Sequence, residues 1–241
     1  MQYMTVNGEP IDHDAGDFPY LPIERWYGYS MPSVGDWNGD GVLDVLVSDI
    51  RGRVKIYNGT GSLTELSGPE DAVLDNGEPL RVASRTRVKM IDWNGDGRTD
   101  VVGYDTNFQL SLFERQADGK LAPGMPLKTH EDLPIESIHN IDQARHTFEV
   151  VDWNVNGKWD LLVGNLRGGY IQYYENVGTN DEPQYVNRGR LMHHDEPITD
   201  AAHYAFVAVA DFTGDGFPDM ISSADYGPVY FYDRRDISWD H

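Results

Sequence analysis

Asp36-Trp37-Asn38-Gly39-Asp40-Gly41-Val42-Leu43-Asp44 decides the fold, because this nine-residue phrase returns three more times along the chain. DWNGDGRTD runs from Asp92 to Asp100, DWNVNGKWD from Asp152 to Asp160 and DFTGDGFPD from Asp211 to Asp219. The spacings are 92 − 36 = 56, 152 − 92 = 60 and 211 − 152 = 59 residues. A period of that size marks a supersecondary unit that stacks on copies of itself.

The flanks of the phrase repeat with it. Each last Asp is followed by an apolar, mostly β-branched run (Val45-Leu46-Val47, Val101-Val102, Leu161-Leu162-Val163, Met220-Ile221), then a turn. A second run follows with a period of two, as in Val54-Lys55-Ile56-Tyr57, Leu110-Ser111-Leu112-Phe113, Tyr170-Ile171-Gln172-Tyr173-Tyr174 and Val229-Tyr230-Phe231-Tyr232, which predicts strands. Another apolar stretch precedes each motif, most plainly Phe206-Val207-Ala208-Val209-Ala210. A proline phrase, Glu78-Pro79-Leu80, Met125-Pro126-Leu127 and Glu196-Pro197-Ile198, suits a fourth, edge strand and recurs at the N-terminus as Glu9-Pro10-Ile11.

Four strands per unit, repeated, predict an all-β fold: a β-propeller with four four-stranded blades in one domain over residues 1–241. The spare N-terminal strand is expected to complete the last blade. The wrap-around distance, (241 − 211) + 36 = 66, is close to the internal spacings. A piece of a larger ring, or a homodimer closing an eight-bladed ring with two chains, would read identically.

Composition narrows the partners. With 19 Lys+Arg against 40 Asp+Glu the formal charge is −21, which repels nucleic acid and anionic lipid, so neither is expected as a partner. No cysteine is present, leaving oxygen and imidazole as metal ligands. No run of 18 apolar residues occurs, and the first ten residues lack the basic start and apolar stretch of a signal peptide.

Within the nine-residue phrase, positions 1, 3, 5 and 9 put oxygen-bearing side chains around a tight loop whose sixth residue is Gly41, Gly97, Gly157 or Gly216. Hard cations are wrapped in this way, and flexible oxygen ligation suits Ca²⁺ better than Mg²⁺. The expected ligands are Asp36, Asn38, Asp40 and Asp44; Asp92, Asn94, Asp96 and Asp100; Asp152, Asn154, Asn156 and Asp160; and Asp211, Thr213, Asp215 and Asp219. Position 7 (Val42, Arg98, Lys158, Phe217) can give only its backbone carbonyl. The competing reading is a metal-free turn held by Asx bonds. Up to four Ca²⁺ are expected, with the third loop weakest because it has only two carboxylates. The loop matches the first nine positions of an EF-hand, but position 12 (Val47, Gly103, Val163, Ser222) lacks the bidentate carboxylate.

These loops resemble the FG-GAP or VCBS repeat family, in which D-x-[DN]-x-D-G-x-x-D lies between the first two strands of propeller blades. Integrin α-subunit heads, a fungal lectin and several polysaccharide lyases carry such repeats. The resemblance covers roughly residues 30–235 and implies calcium ligation at the positions above. It departs from the family's usual seven or eight blades and, at Asn156, from its fifth-position Asp.

The blade connections are the place to seek function. From edge-strand proline to the next motif Asp the distances are 36 − 10 = 26, 92 − 79 = 13, 152 − 126 = 26 and 211 − 197 = 14, so two connections carry inserts. The first insert is aromatic, offering Tyr20, Arg25, Trp26, Tyr27 and Tyr29 either for stacking on sugar rings or for packing between blades. The second holds His130, His139, Arg145 and His146, and the fourth connection adds His193, His194, His203 and Tyr204. These are either structural or the groups that β-elimination of a uronate needs: a carboxylate neutraliser and a base for the α-proton. Three functions follow as expectations: a calcium-binding, carbohydrate-recognising propeller; a polysaccharide lyase; and an integrin-like interaction scaffold. Calcium sites in this number suit an extracellular or periplasmic location.

Overall fold

A computed structural model describes residues 4–10, 30–135, 147–164, 169–199, 206–223 and 228–240. The chain divides into two compact units, one comprising Met1–Pro126 with His139–Ala144, the other Leu127–Ile138 with Arg145–His241. The four repeats form four blade-type, mainly antiparallel sheets, the all-β propeller arrangement that the periodicity predicts, with two blades in each unit. No α-helix occurs among the described residues.

In the first unit, blade 1 runs β3 (Met31–Gly35), β4 (Asp44–Ser48), β5 (Val54–Gly59) and β6 (Glu65–Asp71), with the hairpin β1 (Thr5–Val6) and β2 (Glu9–Pro10) added outside β6. Blade 2 runs β7 (Val88–Ile91), β8 (Asp100–Tyr104), β9 (Leu110–Phe113) and β10 (Met125–Pro126). In the second unit, blade 3 is β11 (Thr147–Val151), β12 (Asp160–Gly164), β13 (Ile171–Asn176) and β14 (Tyr185–His193), with β15 (Glu196–Pro197) and β19 (Ile237–Trp239) both paired to β14. Blade 4 is β16 (Phe206–Ala210), β17 (Asp219–Ser223) and β18 (Tyr230–Tyr232).

The unbroken apolar runs after each motif become second strands, and β4, β8 and β12 are buried along their whole length. The period-two runs become third strands. Trp37, Leu46, Val88, Met90 and Val101 belong to the main core of the first unit; Trp153, Leu162, Val207 and Met220 belong to that of the second. Each such fully buried aliphatic side chain contributes about 1.5–3 kcal/mol.

One expectation fails. Glu9–Pro10 does not complete blade 4 among the described residues: β2 pairs with β1, and β1 runs parallel to β6 of blade 1. The reason lies in a device that the chain uses three times. A hairpin turning at Asn7-Gly8 delivers Thr5 beside Glu65. A second, bridged between Val73 and Pro79, delivers Leu74 parallel to Leu121, with the Asp75 amide donating to the Leu121 carbonyl at 2.8 Å. A third, bridged between Lys128 and Pro134, delivers Thr129 parallel to Tyr185, with the His130 amide donating to the Tyr185 carbonyl at 2.9 Å. Each hairpin thus pairs with the outer segment of the blade that follows it, so the N-terminal hairpin serves blade 1.

The proline phrase is corrected with it. Glu78-Pro79 and Glu196-Pro197 are the return limbs of hairpins, Asp132-Leu133-Pro134-Ile135 is the matching phrase after blade 2, and only Met125–Pro126 pairs as a fourth strand on β9. The apolar residue closing each phrase, Leu80, Ile135 or Ile198, is buried.

Candidate functional site

All four acidic loops are ordered by their own side chains. Asp36 Oδ1 accepts from the Gly39 and Asp40 amides at 2.7 and 3.2 Å, and its Oδ2 accepts from Gly41 at 2.9 Å. Asn38 Oδ1 accepts from the Asp40 amide and Asp40 Oδ1 from the Val42 amide. Loop 4 copies this with Asp211 on Gly214, Asp215 and Gly216, and Asp215 on Phe217. The sixth-position glycines have φ of 82–88°, and a Cβ there would meet nothing within 4 Å, so glycine is required by the left-handed backbone alone. Loop 3 departs at position 4, where Val155 takes φ 58°, a costly conformation for a β-branched residue.

Position 9 has a structural role that spacing alone does not reveal. Asp44, Asp100, Asp160 and Asp219 are fully buried. Asp44 Oδ2 accepts from the Trp37 and Asn38 amides at 2.7 and 3.3 Å, and Oδ1 from the Gly59 amide at 2.7 Å, tying the loop to the end of the third strand. Asp100 repeats this with Trp93 and Arg115, Asp160 with Trp153 and Asn176, and Asp219 with Phe212, Thr213 and Arg234. Burial pushes the Asp160 carboxyl up to about 6, although the Asn176 amide, the Tyr173 hydroxyl and the Trp153 amide pull against it. Burial likewise raises Asp100. At Asp219 burial works in the same direction, yet the amides of Arg234, Thr213 and Phe212 outweigh it and hold the group below the usual range.

Two oxygens at expected ligand positions are buried without a hydrogen-bond partner: Asp92 Oδ1, at position 1 of loop 2, and Asn154 Oδ1, at position 3 of loop 3. A buried carboxylate oxygen lacking a donor costs free energy unless a cation or water meets it. The loop-2 donor set therefore fits a hard cation, with Asp92, Asn94 and Asp96 able to hold it. Against a preformed cage, no group of three or more His, Asp or Glu side chains is gathered for a metal among the described residues. Asp96 also pairs with the guanidinium of Arg98. In loop 3 the Asn154 amide nitrogen is engaged by the Tyr173 hydroxyl at 3.3 Å and by Glu175 at 3.1 Å.

The other predicted residues divide sharply. His193 stands with its ring 4.0 Å from His194 and 5.3 Å from Tyr232, on a hairpin turning at His194-Asp195. Tyr20, Arg25, Trp26, Tyr27, Tyr29, His139, Arg145, His146, His203 and Tyr204 lie outside the described residues.

Sequence reasoning missed two arginines that seal the joints between blades. Arg115 lies over the Trp37 ring, 4.2 Å from its centroid, and donates to the Trp37 carbonyl; Arg234 lies 4.6 Å over Trp153 and donates to its carbonyl at 3.2 Å. The signal was available, since 115 − 100 = 234 − 219 = 15 residues separate each from its buried Asp.

Repeated acidic loops at the head of four blade-type sheets define a protein of the β-propeller type. Residues 36–103 match the FG-GAP-like repeat, which covers the first loop, strands β4–β6 of blade 1, β7 and the second loop. Over 89 residues the chain is 37% identical to protein linkin of Caenorhabditis elegans, a match spanning 36% of this chain and 14% of that protein. Among solved structures it is similar to an Agrocybe aegerita lectin described as recognising non-reducing terminal N-acetylglucosamine, with TM-score 0.48 and 17% identity over 83% of this chain and 52% of that one. Among the described residues no helix is long and apolar enough to cross a membrane.

Proposed function

We propose that this chain is a calcium-binding β-propeller module that recognises carbohydrate outside the cytosol. The observation that carries the calcium reading is the bare, buried Asp92 Oδ1 at the first position of an acidic loop repeated four times. Ligation falls to positions 1, 3 and 5 with the position-7 carbonyl, while the buried position-9 aspartates hold each loop against its third strand. Loop 3 binds most weakly, because Asn156 replaces a carboxylate and leaves the loop with two. Eleven motif aspartates explain part of the charge, and four Ca²⁺ would bring it from −21 to −21 + 8 = −13.

The carbohydrate reading rests on the aromatic insert around Trp26, whose residue types stack on sugar rings. Retention on immobilised neutral and uronic-acid glycans is expected in about 1 mM calcium, and is expected to be lost in chelator and in Trp26→Ala. Retention that ignores both changes, or none on any glycan, contradicts the reading. Rising ultraviolet absorbance from unsaturated uronate in the same assay would make the protein a lyase instead.

A further inference from the structure

Six Asn-Gly pairs occur in the chain, at 7–8, 38–39, 58–59, 76–77, 94–95 and 156–157. Such a pair is open to self-hydrolysis, because glycine puts no side chain between its own nitrogen and the amide carbon of the asparagine before it. The attack needs the glycine N–H to give up its proton, and a hydrogen bond donated by that N–H holds the proton in place. Five of the six are held in this way. Gly8 donates to Glu65 Oε1 at 3.2 Å, Gly39 to Asp36 Oδ1 at 2.7 Å and Gly59 to Asp44 Oδ1 at 2.7 Å. Gly77 donates to the Leu74 carbonyl at 2.9 Å and Gly157 to Asp152 Oδ2 at 2.7 Å. Among the described residues nothing accepts from the Gly95 amide.

Loop 1 supplies the matched comparison, since Trp93-Asn94-Gly95-Asp96-Gly97 repeats Trp37-Asn38-Gly39-Asp40-Gly41 residue for residue. In loop 1 the Gly39 amide meets Asp36 Oδ1; in loop 2 the counterpart oxygen, Asp92 Oδ1, has no partner. The same missing bond is therefore bare at both its ends. The neighbouring bond is present in both loops: Asn94 Oδ1 accepts from the Asp96 amide at 3.1 Å, as Asn38 Oδ1 does from Asp40 at 2.9 Å. It draws the side-chain amide back over the peptide that follows and stabilises the charge its oxygen gains when Cγ is attacked. A Cβ on Gly95 would meet nothing within 4 Å, so the approach is uncrowded.

We propose that Asn94 is a self-modification site, at which the folded chain converts asparagine to a carboxylate ahead of the identical pair in loop 1. The Gly95 nitrogen, its proton lost to solvent base, bonds to Asn94 Cγ. The Cγ–Nδ2 bond then breaks and ammonia leaves, giving a five-membered imide. Water opens the imide at either carbonyl, so the products are aspartate or isoaspartate and the balance is asparagine plus water to aspartate plus ammonia. Loop 2 thereby gains a carboxylate at its third position, and the formal charge moves from −21 to −21 − 1 = −22. Neither calcium nor carbohydrate enters the reaction.

Peptide mapping by mass spectrometry tests it, after the whole chain has been incubated in chelator and heavy-oxygen water, which marks each newly hydrolysed side chain. In the folded chain Asn94 is expected to convert about 2–10 times faster than Asn38, the factor that corresponds to one amide hydrogen bond. In urea both loops are unfolded and their local sequences are identical, so the two rates are expected to agree. Equal rates in the folded chain, a lead by Asn38, or a lead by Asn94 that survives in urea overturns the proposal.

Discussion

Asp44→Ala is expected to lower the free energy of unfolding by about 3–5 kcal/mol in the absence of added metal. The carboxylate is fully buried and both its oxygens are used, accepting from the amides of Trp37, Asn38 and Gly59. Removing it leaves those donors unsatisfied, two of them in the loop and one at the end of β5, so the loss exceeds that of a single hydrogen bond. Asp40→Ala is the matched control: its side chain accepts from Val42 alone in an exposed loop, and its loss costs below about 1 kcal/mol. Urea unfolding of both variants in chelator reads the difference. Equal and small effects would mean that the buried aspartates do not anchor the loops.

Gly52→Ala comes next in size, with an expected loss of about 3 kcal/mol or more. The backbone conformation does not by itself demand glycine. In blade 2 the matching position is Phe108, which adopts φ 63° against 68° for Gly52, with the same bond from the residue's amide to the carbonyl three residues back. What differs is the space: a Cβ on Gly52 would stand 1.9 Å from the Val82 carbonyl oxygen. Backbone would have to move, breaking the bond from the Val82 amide to the Gly52 carbonyl at 3.0 Å. The left-handed φ adds only about 1–2 kcal/mol. Thermal unfolding decides, and a loss under about 1 kcal/mol would show that the 82–83 segment yields freely.

The fold was legible because two signals agreed. An acidic nine-residue loop fixed where each blade turns, and the apolar runs beside it fixed strands by length and period. Strand pairing was less legible, since a short run such as Glu9-Pro10 reads as a strand whichever neighbour it meets. The proline phrase occurs twice after blade 2, and a buried apolar residue follows both Pro126 and Pro134, so only the hairpin bridge between Lys128 and Pro134 tells the two apart. The loops were located correctly, but a second role of the position-9 carboxylates, accepting amides from the end of the third strand, is visible only once that strand is in place. Arg115 and Arg234 carried a readable spacing that gained meaning only with Trp37 and Trp153 beneath them.

Calorimetric titration of chelator-treated protein with Ca²⁺, followed by a melt of the same sample, decides whether the loops hold calcium. Measurable heat is expected, with more than one site per chain and a loop-3 site that fills last. At one hundred times its dissociation constant each site adds about 2.7 kcal/mol, so the melting temperature rises by about 5–10 °C per site. No heat and an unmoved melt would contradict calcium binding, leaving the four loops as turns held by their own Asx bonds.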